Sequence, residues 1–406
     1  DHTNDCNVCE SGKYQHEDKK TLCKACPAGT HRSVVTNDDG QAWNGGNSGN
    51  GDENVANELG DCLVCESGKY QTETTKTECI SCPTGTVRIG HNNDNDPMSG
   101  SKNTVADETT DCKVCESGTY QDETEKNICK DCPAGTVRAT NTHDGDPWLG
   151  TAMNQVADHA NDCKVCSKGK YQHEDKKTLC KDCPTGKYLS DDGSNQNYHD
   201  EASDCSVCSW SRYAVGNGNH ECTWCPAGKQ IYDSSTVNMH DQSNDCTICG
   251  SGTYRQSFDS YCYNCPAGSV NPHDNSDAGN HDQIGDCKVC ASGKYQDSTA
   301  ESYCKDCPAG TSRAVHGNDG VSMSGSKNHV ADHSNDCIVC SSGKYQNGNG
   351  QTSCKTCPAG THRSVVTNDD GKPWNGGNSG DGDENVANQL GDCLVCESGK
   401  YQTETT

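Results

Sequence analysis

Apolar residues along the chain are few and do not recur at a helical spacing. They occur singly or in pairs beside cysteines, as in "CLVCESGKY" at residues 62–70, and segments rich in Gly, Pro, Asn and Asp separate them. An amphipathic helix needs an apolar residue every three or four positions, whereas a short ribbon needs only one or two. The pattern therefore predicts turns and short two-stranded ribbons, with little or no helix.

Composition excludes an ordinary hydrophobic core. Only 30% of the 406 residues are hydrophobic, a single Phe is present, and the mean hydropathy is −0.96. A typical globular protein has about 45–50% apolar residues. Too little apolar surface is available here to offset the conformational entropy lost on folding. The 34 cysteines therefore have to stabilise the fold, through covalent bonds or metal ions.

All 34 cysteines lie in Cys-x-x-Cys pairs, and the 17 pairs form eight complete repeats and part of a ninth. Thirteen residues separate the two pairs of a repeat, with the exception of twelve between Cys249 and Cys262, whereas 20 to 35 residues separate successive repeats. A knot of fixed length thus alternates with a loop of variable length, as in arrays whose units contact mainly their neighbours. The predicted domains are repeat 1 (6–61), repeat 2 (62–111), repeat 3 (112–162), repeat 4 (163–204), repeat 5 (205–245), repeat 6 (246–286), repeat 7 (287–336), repeat 8 (337–392) and the partial repeat 9 (393–406).

Three interpretations of the cysteines compete. Four thiolates at this spacing resemble a zinc ribbon, but no His replaces a Cys at any of the 34 positions. Thioredoxin-type redox chemistry needs one Cys-x-x-Cys at the start of a helix, which this turn-rich sequence does not offer. Structural disulfides of a secreted protein fit best. The predicted fold class is small disulfide-rich repeats: an elongated tandem array of turn and short β-ribbon modules without a large hydrophobic core.

The array has a second, longer period. Residues 332–406 repeat residues 1–75 with 14 differences, so the sequence returns to its start after 331 residues. We expect the native chain, or a neighbouring copy, to continue beyond both ends of this segment, because the last repeat is incomplete and Asp1 opens no signal peptide.

The long loops of repeats 1 and 8 are unusually alike. Residues 28–61 and 359–392 differ at four positions, whereas the two preceding 18-residue knots differ at eight. Exposed loops ordinarily tolerate more change than cross-linked segments. The reversed order predicts that this loop is an assembly contact anchored by Trp43 and Trp374, because buried aromatic residues dominate interface energies. Recent gene conversion, and packing of the Trp residues on their own modules, are the alternatives.

The net charge of −26 argues against nucleic acid as a partner, because 33 basic residues are scattered among 59 acidic ones. No run approaches the ~20 apolar residues of a membrane span, so we expect no transmembrane segment in this window. No Asn-x-Ser/Thr sequon occurs, whereas Ser and Thr residues that could carry O-linked glycans are abundant.

Three residue types recur within the knots. A Tyr follows the second Cys by five residues in all nine copies, and we expect its ring to pack over a nearby disulfide. A Gly precedes that Tyr by two residues in every copy except at Ser211, which predicts a positive φ. An Asp precedes the first Cys of every repeat, and it either caps a turn or binds calcium.

The variable loops offer two kinds of charged site. An Arg occurs in "GTxR" only where a medium or long loop follows, and we expect it to pair with carboxylates of its own loop. Asp94 and Asp96 in "DNDPMSG", and Asp144 and Asp146 in "HDGDPWLG", are candidate calcium ligands. No EF-hand pattern is present, and simple solvated loops are the alternative. We expect the fold to require no cofactor, with Ca²⁺ as a possible ligand.

The segment "CLVCESGKYQTETTKTECISCP" resembles the cysteine-rich repeats of the tumour-necrosis-factor-receptor and ephrin-receptor-like extracellular modules. These share Cys-x-x-Cys-x-x-Gly-x-Tyr, followed after 13 residues by Cys and a "CPAGT" turn. The loops ending "ENVANELGDC" resemble the periodic cysteine-rich surface proteins of ciliates. The receptors' third cysteine pair is missing and the acidic loops match poorly, so no ligand-binding residue carries over.

The resemblance implies a sequential disulfide pairing, in which the second pair of one repeat bonds forward to the next. Cys6 and Cys396 would then have their partners outside the window. A crossed pairing within each repeat, such as Cys6–Cys23 with Cys9–Cys26, is the open alternative. The implied bonds begin with Cys9–Cys23, Cys26–Cys62, Cys65–Cys79, Cys82–Cys112, Cys115–Cys129 and Cys132–Cys163 and continue in the same way to Cys357–Cys393.

No catalytic constellation recurs, and the 16 His residues are dispersed in the sequence, so we expect no enzyme. The predicted function is that of an extracellular structural protein, secreted or at the cell surface, whose repeats assemble with copies of themselves into a fibre, filament or coat. Near-identical repeats present equal surfaces, which favours assembly over recognition of one ligand. The alternative is a receptor-like or adhesive ectodomain that recognises a protein or glycan through its variable loops.

Overall fold

The computed structural model describes residues 6–33, 40–41, 56–100, 106–150, 152–233, 235–363, 370–374 and 387–401. Within these ranges every strand is two residues long, and the helical segments are 3₁₀ turns of three to five residues. The predicted fold class of small disulfide-rich repeats, with short ribbons and without a large core, is confirmed. No described helix is long and apolar enough to cross a membrane.

One kind of antiparallel ribbon forms inside each knot and joins the two cysteine pairs of a repeat. In repeat 2, for example, Lys69 lies opposite Ser81 and Tyr70 opposite Ile80. The ribbons of this kind are β1 Lys13–Tyr14 with β2 Lys24–Ala25, β5 Lys69–Tyr70 with β6 Ile80–Ser81, β9 Thr119–Tyr120 with β10 Lys130–Asp131, β13 Lys170–Tyr171 with β14 Lys181–Asp182, β17 Arg212–Tyr213 with β18 Thr223–Trp224, β21 Thr253–Tyr254 with β22 Tyr263–Asn264, β25 Lys294–Tyr295 with β26 Lys305–Asp306, and β29 Lys344–Tyr345 with β30 Lys355–Thr356.

A second kind of ribbon joins the end of one repeat to the start of the next, so that the variable loop leaves and returns at the same place. These ribbons are β3 Thr30–His31 with β4 Leu63–Val64, β7 Thr86–Val87 with β8 Lys113–Val114, β11 Thr136–Val137 with β12 Lys164–Val165, β19 Lys229–Gln230 with β20 Thr247–Ile248, β23 Ser269–Val270 with β24 Lys288–Val289, β27 Thr311–Ser312 with β28 Ile338–Val339, and β31 Thr361–His362 with β32 Leu394–Val395. Strands β15 Lys187–Tyr188 and β16 Ser206–Val207 complete the set.

Disulfides alternate in step with the ribbons, and the described cysteines pair in sequence rather than in the crossed arrangement. Cys6 and Cys396 have no partner in the described part of the chain. The bonds within repeats are Cys9–Cys23, Cys65–Cys79, Cys115–Cys129, Cys166–Cys180, Cys208–Cys222, Cys249–Cys262, Cys290–Cys304 and Cys340–Cys354. The bonds to the next repeat are Cys26–Cys62, Cys82–Cys112, Cys132–Cys163, Cys183–Cys205, Cys225–Cys246, Cys265–Cys287, Cys307–Cys337 and Cys357–Cys393.

The apolar clusters are small and form around the disulfides that link repeats. Tyr70, for example, packs against the Cys82–Cys112 bond, and Tyr14 packs against Cys26–Cys62. Burial raises the pKa of the Tyr70 hydroxyl above its ordinary value. The expected packing of the recurrent Tyr over a disulfide is therefore confirmed, and the bond it covers is the one to the next repeat.

The recurrent Gly of the knot has the predicted positive φ, +80° at Gly68. It also has a second reason to lack a side chain, because a Cβ on Gly68 would lie 2.4 Å from the carbonyl oxygen of Glu125 in the next repeat. Ser211, the exception, has φ of 54° and donates through Oγ to the carbonyl of Ser260 at 2.7 Å. Ser260 belongs to the knot that is one residue shorter, between Cys249 and Cys262. The two exceptions to the repeat pattern are therefore in direct contact.

A 3₁₀ turn precedes the first cysteine of each described linkage, and the recurrent Asp closes it. Asp111, for example, accepts a hydrogen bond at 2.9 Å from the backbone N–H of Glu108. The turn-capping interpretation of this Asp is thus confirmed at the described repeats. These turns are Leu59–Asp61, Thr109–Asp111, Ala160–Asp162, Ala202–Asp204, Ser243–Asp245, Ile284–Asp286, Ser334–Asp336 and Leu390–Asp392; further 3₁₀ turns at Ala152–Val156, Gln196–Tyr198, Val237–Met239, Ala278–Asn280 and Lys327–Val330 lie within the loops.

By its internal contacts the chain forms two compact units. The first comprises residues 1–183 and 189–206, and the second comprises residues 184–188 and 207–406. The nine repeat boundaries are a finer division that follows the cysteine spacing, and they stay a prediction.

Candidate functional site

The medium and long loops are fixed to the knots by buried arginines. The guanidinium of Arg138, 4% exposed, donates from Nη2 to the Asp144 carboxylate at 2.6 Å and to the backbone carbonyls of Cys115 and Glu116, both at 2.9 Å. Its Nε donates to the carbonyl of Thr119 at 2.6 Å. One side chain therefore binds the knot through backbone oxygens and the loop through a carboxylate.

The same ion pair recurs wherever a described loop follows "GTxR". Because the pairs are buried, removal of one partner would leave an uncompensated charge, which costs about 3–5 kcal/mol. The expectation that each Arg pairs with its own loop is confirmed in repeats 2, 3, 7 and 8. Arg32 of repeat 1 donates to the carbonyl of Glu10 at 3.2 Å. The four pairs are Arg88–Asp94, Arg138–Asp144, Arg313–Asp319 and Arg363–Asp370.

The four predicted calcium ligands have different surroundings. Asp94 and Asp144 each bind a buried Arg and also accept from a backbone N–H three residues earlier, of His91 at 3.0 Å and of Asn141 at 2.8 Å. Their oxygens are thus occupied by donors of the protein itself. Of the other two, Asp96 is half-buried, and Asp146 is exposed 3.6 Å from the ring of His143. Calcium binding at Asp96 and Asp146 stays a prediction.

An apolar side chain from each of these loops covers the disulfide that precedes it. Trp148 packs with Tyr70 on Cys82–Cys112, and the buried Met98 and Met323 occupy the equivalent place in other repeats. The backbone fixes them, since the N–H of Trp148 donates at 2.7 Å to the carbonyl of Cys112. The loop is therefore held by an ion pair on one side and an apolar contact on the other.

Trp374, one of the two predicted assembly anchors, is such a covering residue. It is half-buried, its ring lies 6.3 Å from that of Tyr295 in an edge-on arrangement, and it packs against the Cys307–Cys337 disulfide. Its ring therefore has a packing role, whatever further contact it makes. Trp43, the second predicted anchor, lies outside the described residues.

The three short loops lack the Arg and use a buried His, which sequence reasoning missed. His199 is fully buried; its Nδ1 lies 2.7 Å from the carbonyl of Lys170 and its Nε2 lies 2.9 Å from the Asp191 carboxylate. The imidazole of His199 thus joins the knot to the loop, as the guanidinium does in the longer loops. This hydrogen bond lowers the pKa of Asp191. His240 and His281 occupy the same position.

A second missed residue is the Gln that follows the recurrent Tyr. Gln121 is buried; its Nε2 donates to the carbonyl of Ile128 at 2.8 Å, and its Oε1 accepts from the N–H of Glu123 at 3.1 Å. The side chain thereby closes the 13-residue stretch. The signal was available, because "YQ" occurs in seven of the nine copies.

In the described ranges, three metal-ligand side chains come together only at His31, Cys65 and Cys79. The two cysteines form a disulfide, and the Nδ1 of His31 lies 3.3 Å from the Cys79 sulfur. Burial lowers the pKa of His31, which favours the neutral ring. Sulfurs bonded to each other offer no thiolate, so this contact is packing.

Comparison with known proteins agrees with this geometry. No curated protein sequence matches the chain. The sequence model of the family described as tyrosine-protein kinase ephrin type A/B receptor-like matches five regions that make up half of the chain: residues 1–36, 53–92, 103–143, 154–199 and 328–367. These repeats are a non-catalytic ectodomain type, and their disulfides are typical of extracellular or secreted proteins. The chain therefore belongs to the ephrin type A/B receptor-like family of cysteine-rich repeats.

Proposed function

We propose that this chain is an extracellular structural protein that assembles with copies of itself into a surface fibre, filament or coat. The observation that carries the proposal is the 331-residue period, which returns the loop of residues 28–61 almost unchanged at residues 359–392. Two equal surfaces on one chain allow each copy to contact more than one neighbour, and repeated contacts of this kind build open assemblies.

The fixed linkage between repeats supports this proposal. Ribbons, disulfides and the Gly68-type contacts bind each described repeat to the next within a compact unit. In the described parts of the loops, Arg–Asp pairs and covering residues hold the chain in a defined position on its repeat, as at Asp144 and Trp148. A loop with a fixed position presents the same surface in every copy and loses little conformational entropy on assembly.

The test is assembly of the purified, fully oxidised chain, viewed by negative-stain electron microscopy. We expect filaments or ordered sheets from the natural sequence, and short or no assemblies after Trp43→Ser with Trp374→Ser. Trp148→Ser is the matched control, because Trp148 covers a disulfide in the same way but lies in another loop. Disulfide mapping has to be unchanged in all variants.

Separate chains at every concentration would overturn the proposal and favour a receptor-like or adhesive ectodomain. Normal filaments from the double variant would refute the Trp contact while leaving assembly intact. Equal loss of assembly with Trp148→Ser would show that the Trp residues act only by packing.

A further inference from the structure

Exposed aromatic residues concentrate in repeats 5 and 6, at residues 205–286, and the structural function leaves them unexplained. Two of the five Trp residues and the single Phe of the chain lie there, together with several Tyr residues outside the recurrent knot position. Tyr232 is 77% exposed and Tyr261 49% exposed. Exposed aromatic residues gathered on one surface commonly mark a binding site.

Three of these rings line a cleft of about 690 Å³ within the second compact unit. The ring centroids of Trp210 and Tyr232 lie 5.3 Å apart in an edge-on arrangement. The third ring, that of Tyr261, lies with its centroid 4.9 Å from that of Tyr263. The hydrogen bond from Ser211 to the carbonyl of Ser260 brings the shortened knot against the turn that carries Trp210.

The polar side chains that line the cleft are uncharged. They are Gln230, Thr253 and Ser260, and none of the described lining residues is Asp, Glu, Lys or Arg. Gln230 is held in place, because its Oε1 accepts from the N–H of Cys262 at 2.7 Å, and no described residue accepts from its Nε2. The amide N–H groups therefore remain as donors directed by a fixed side chain.

We propose that this cleft binds a neutral saccharide. A pyranose ring has an apolar C–H face that stacks on Trp and Tyr, and its hydroxyls both donate and accept hydrogen bonds, as amide and hydroxyl side chains do. A neutral cleft on a chain of net charge −26 selects against sulfated or carboxylated sugars, because it offers them no cation. The volume suits one to three sugar rings rather than an extended peptide.

The binding test uses immobilised neutral trisaccharides of glucose, galactose, mannose and N-acetylglucosamine, with a sulfated trisaccharide and a polyproline decapeptide beside them. We expect at least one neutral trisaccharide to bind and to change the fluorescence of the chain. Tyr232→Ala and Trp210→Ala should each weaken that binding about tenfold or more. Tyr232 is so exposed that its removal leaves folding intact.

Trp224→Ala is the matched control, because Trp224 lies in the same repeat but packs under the Arg212 guanidinium at 3.9 Å, outside the cleft. Absence of binding to every neutral sugar would overturn the proposal, as would binding that survives Tyr232→Ala. Capture of the polyproline peptide alone would assign the cleft to Pro-rich segments instead. The outcome does not depend on filament formation, since single chains are measured.

Discussion

At the residue scale, buried charged side chains fix the positions of the loops, since the chain has almost no hydrophobic core to do so. Arg138 and Asp144 are both nearly buried, and Arg138 also satisfies three backbone carbonyls of the knot. Buried ion pairs are costly to break even where they add little net stability. These ion pairs therefore fix one position of the loop and add little to the free energy of unfolding. A surface that repeats along the chain requires such a fixed loop position.

Replacement of Asp144 by Asn tests this role. The substitution leaves a buried guanidinium without its counter-ion, and we expect the loop of residues 139–157 to lose about 3–5 kcal/mol of local stability. Limited proteolysis should cut this loop many times faster, while the cross-linked knot at residues 115–132 stays intact. Asp146→Asn is the control, because Asp146 is exposed and the carboxylate that Arg138 binds is that of Asp144. Equal cleavage in both variants, restored by calcium, would favour the calcium-ligand interpretation.

Sequence reasoning found the residues whose partners lie a few positions away and missed those whose partners are set by loop length. The Asp before each first Cys, the Tyr over the disulfide and the Arg of "GTxR" follow from local spacing. His199 was missed although a His lies six residues before the next Cys in all three short loops, because that spacing does not indicate that the ring takes the place that a guanidinium occupies elsewhere. The role of Trp374 as a covering residue likewise depends on an isolated bridge between Pro373 and Ile338 of the same repeat.

At the element scale, the ribbons and knots were predictable and the contact between knots was not. Glycine at position 68 indicates a positive φ, but nothing in the sequence indicates that the carbonyl of Glu125 approaches from the next repeat. The residue at that approach is itself left-handed, with φ of 64°. The left-handed residue lies ten positions after its cysteine in this 13-residue knot, and nine positions after Cys249, at Phe258, in the twelve-residue knot.

The exception at Ser211 suggests that two changes in neighbouring repeats compensate for each other: Ser in place of the recurrent Gly, and a knot that is one residue shorter. Gly68→Ser alone adds an atom where only 2.4 Å is available and forces a strained φ, and we expect a loss of about 1–3 kcal/mol. Deletion of one residue between Cys115 and Cys129 should recover part of this loss, because it copies the pairing of Ser211 with the twelve-residue knot. Thermal unfolding of the single and double variants is the measurement. A double variant that is less stable than Gly68→Ser alone would contradict this compensation.

At the scale of the whole molecule, one repeat can replace another only if the contacts between neighbouring repeats are made by residues at equivalent positions in every repeat. The described disulfides and ribbons meet that condition, since the same two kinds of each recur in both compact units. Stability is then a sum of repeat terms and nearest-neighbour terms. The loops vary in length and lie outside this sum. The aromatic cleft shows that single repeats can also carry specific contacts on their knots, since Trp210 and Tyr261 lie within the knots of repeats 5 and 6.

Deletion of one whole repeat, residues 112–162, tests this additivity. Cys82 then faces Cys163 in place of Cys112, and we expect the Cys82–Cys163 bond with every other disulfide unchanged. Peptide mapping without reduction should detect it. The control removes only residues 116–132, which leaves Cys115 and Cys163 without their partners, and it should give free thiols or scrambled bonds. Scrambling in the whole-repeat deletion as well would show that the repeats depend on more than their nearest neighbours.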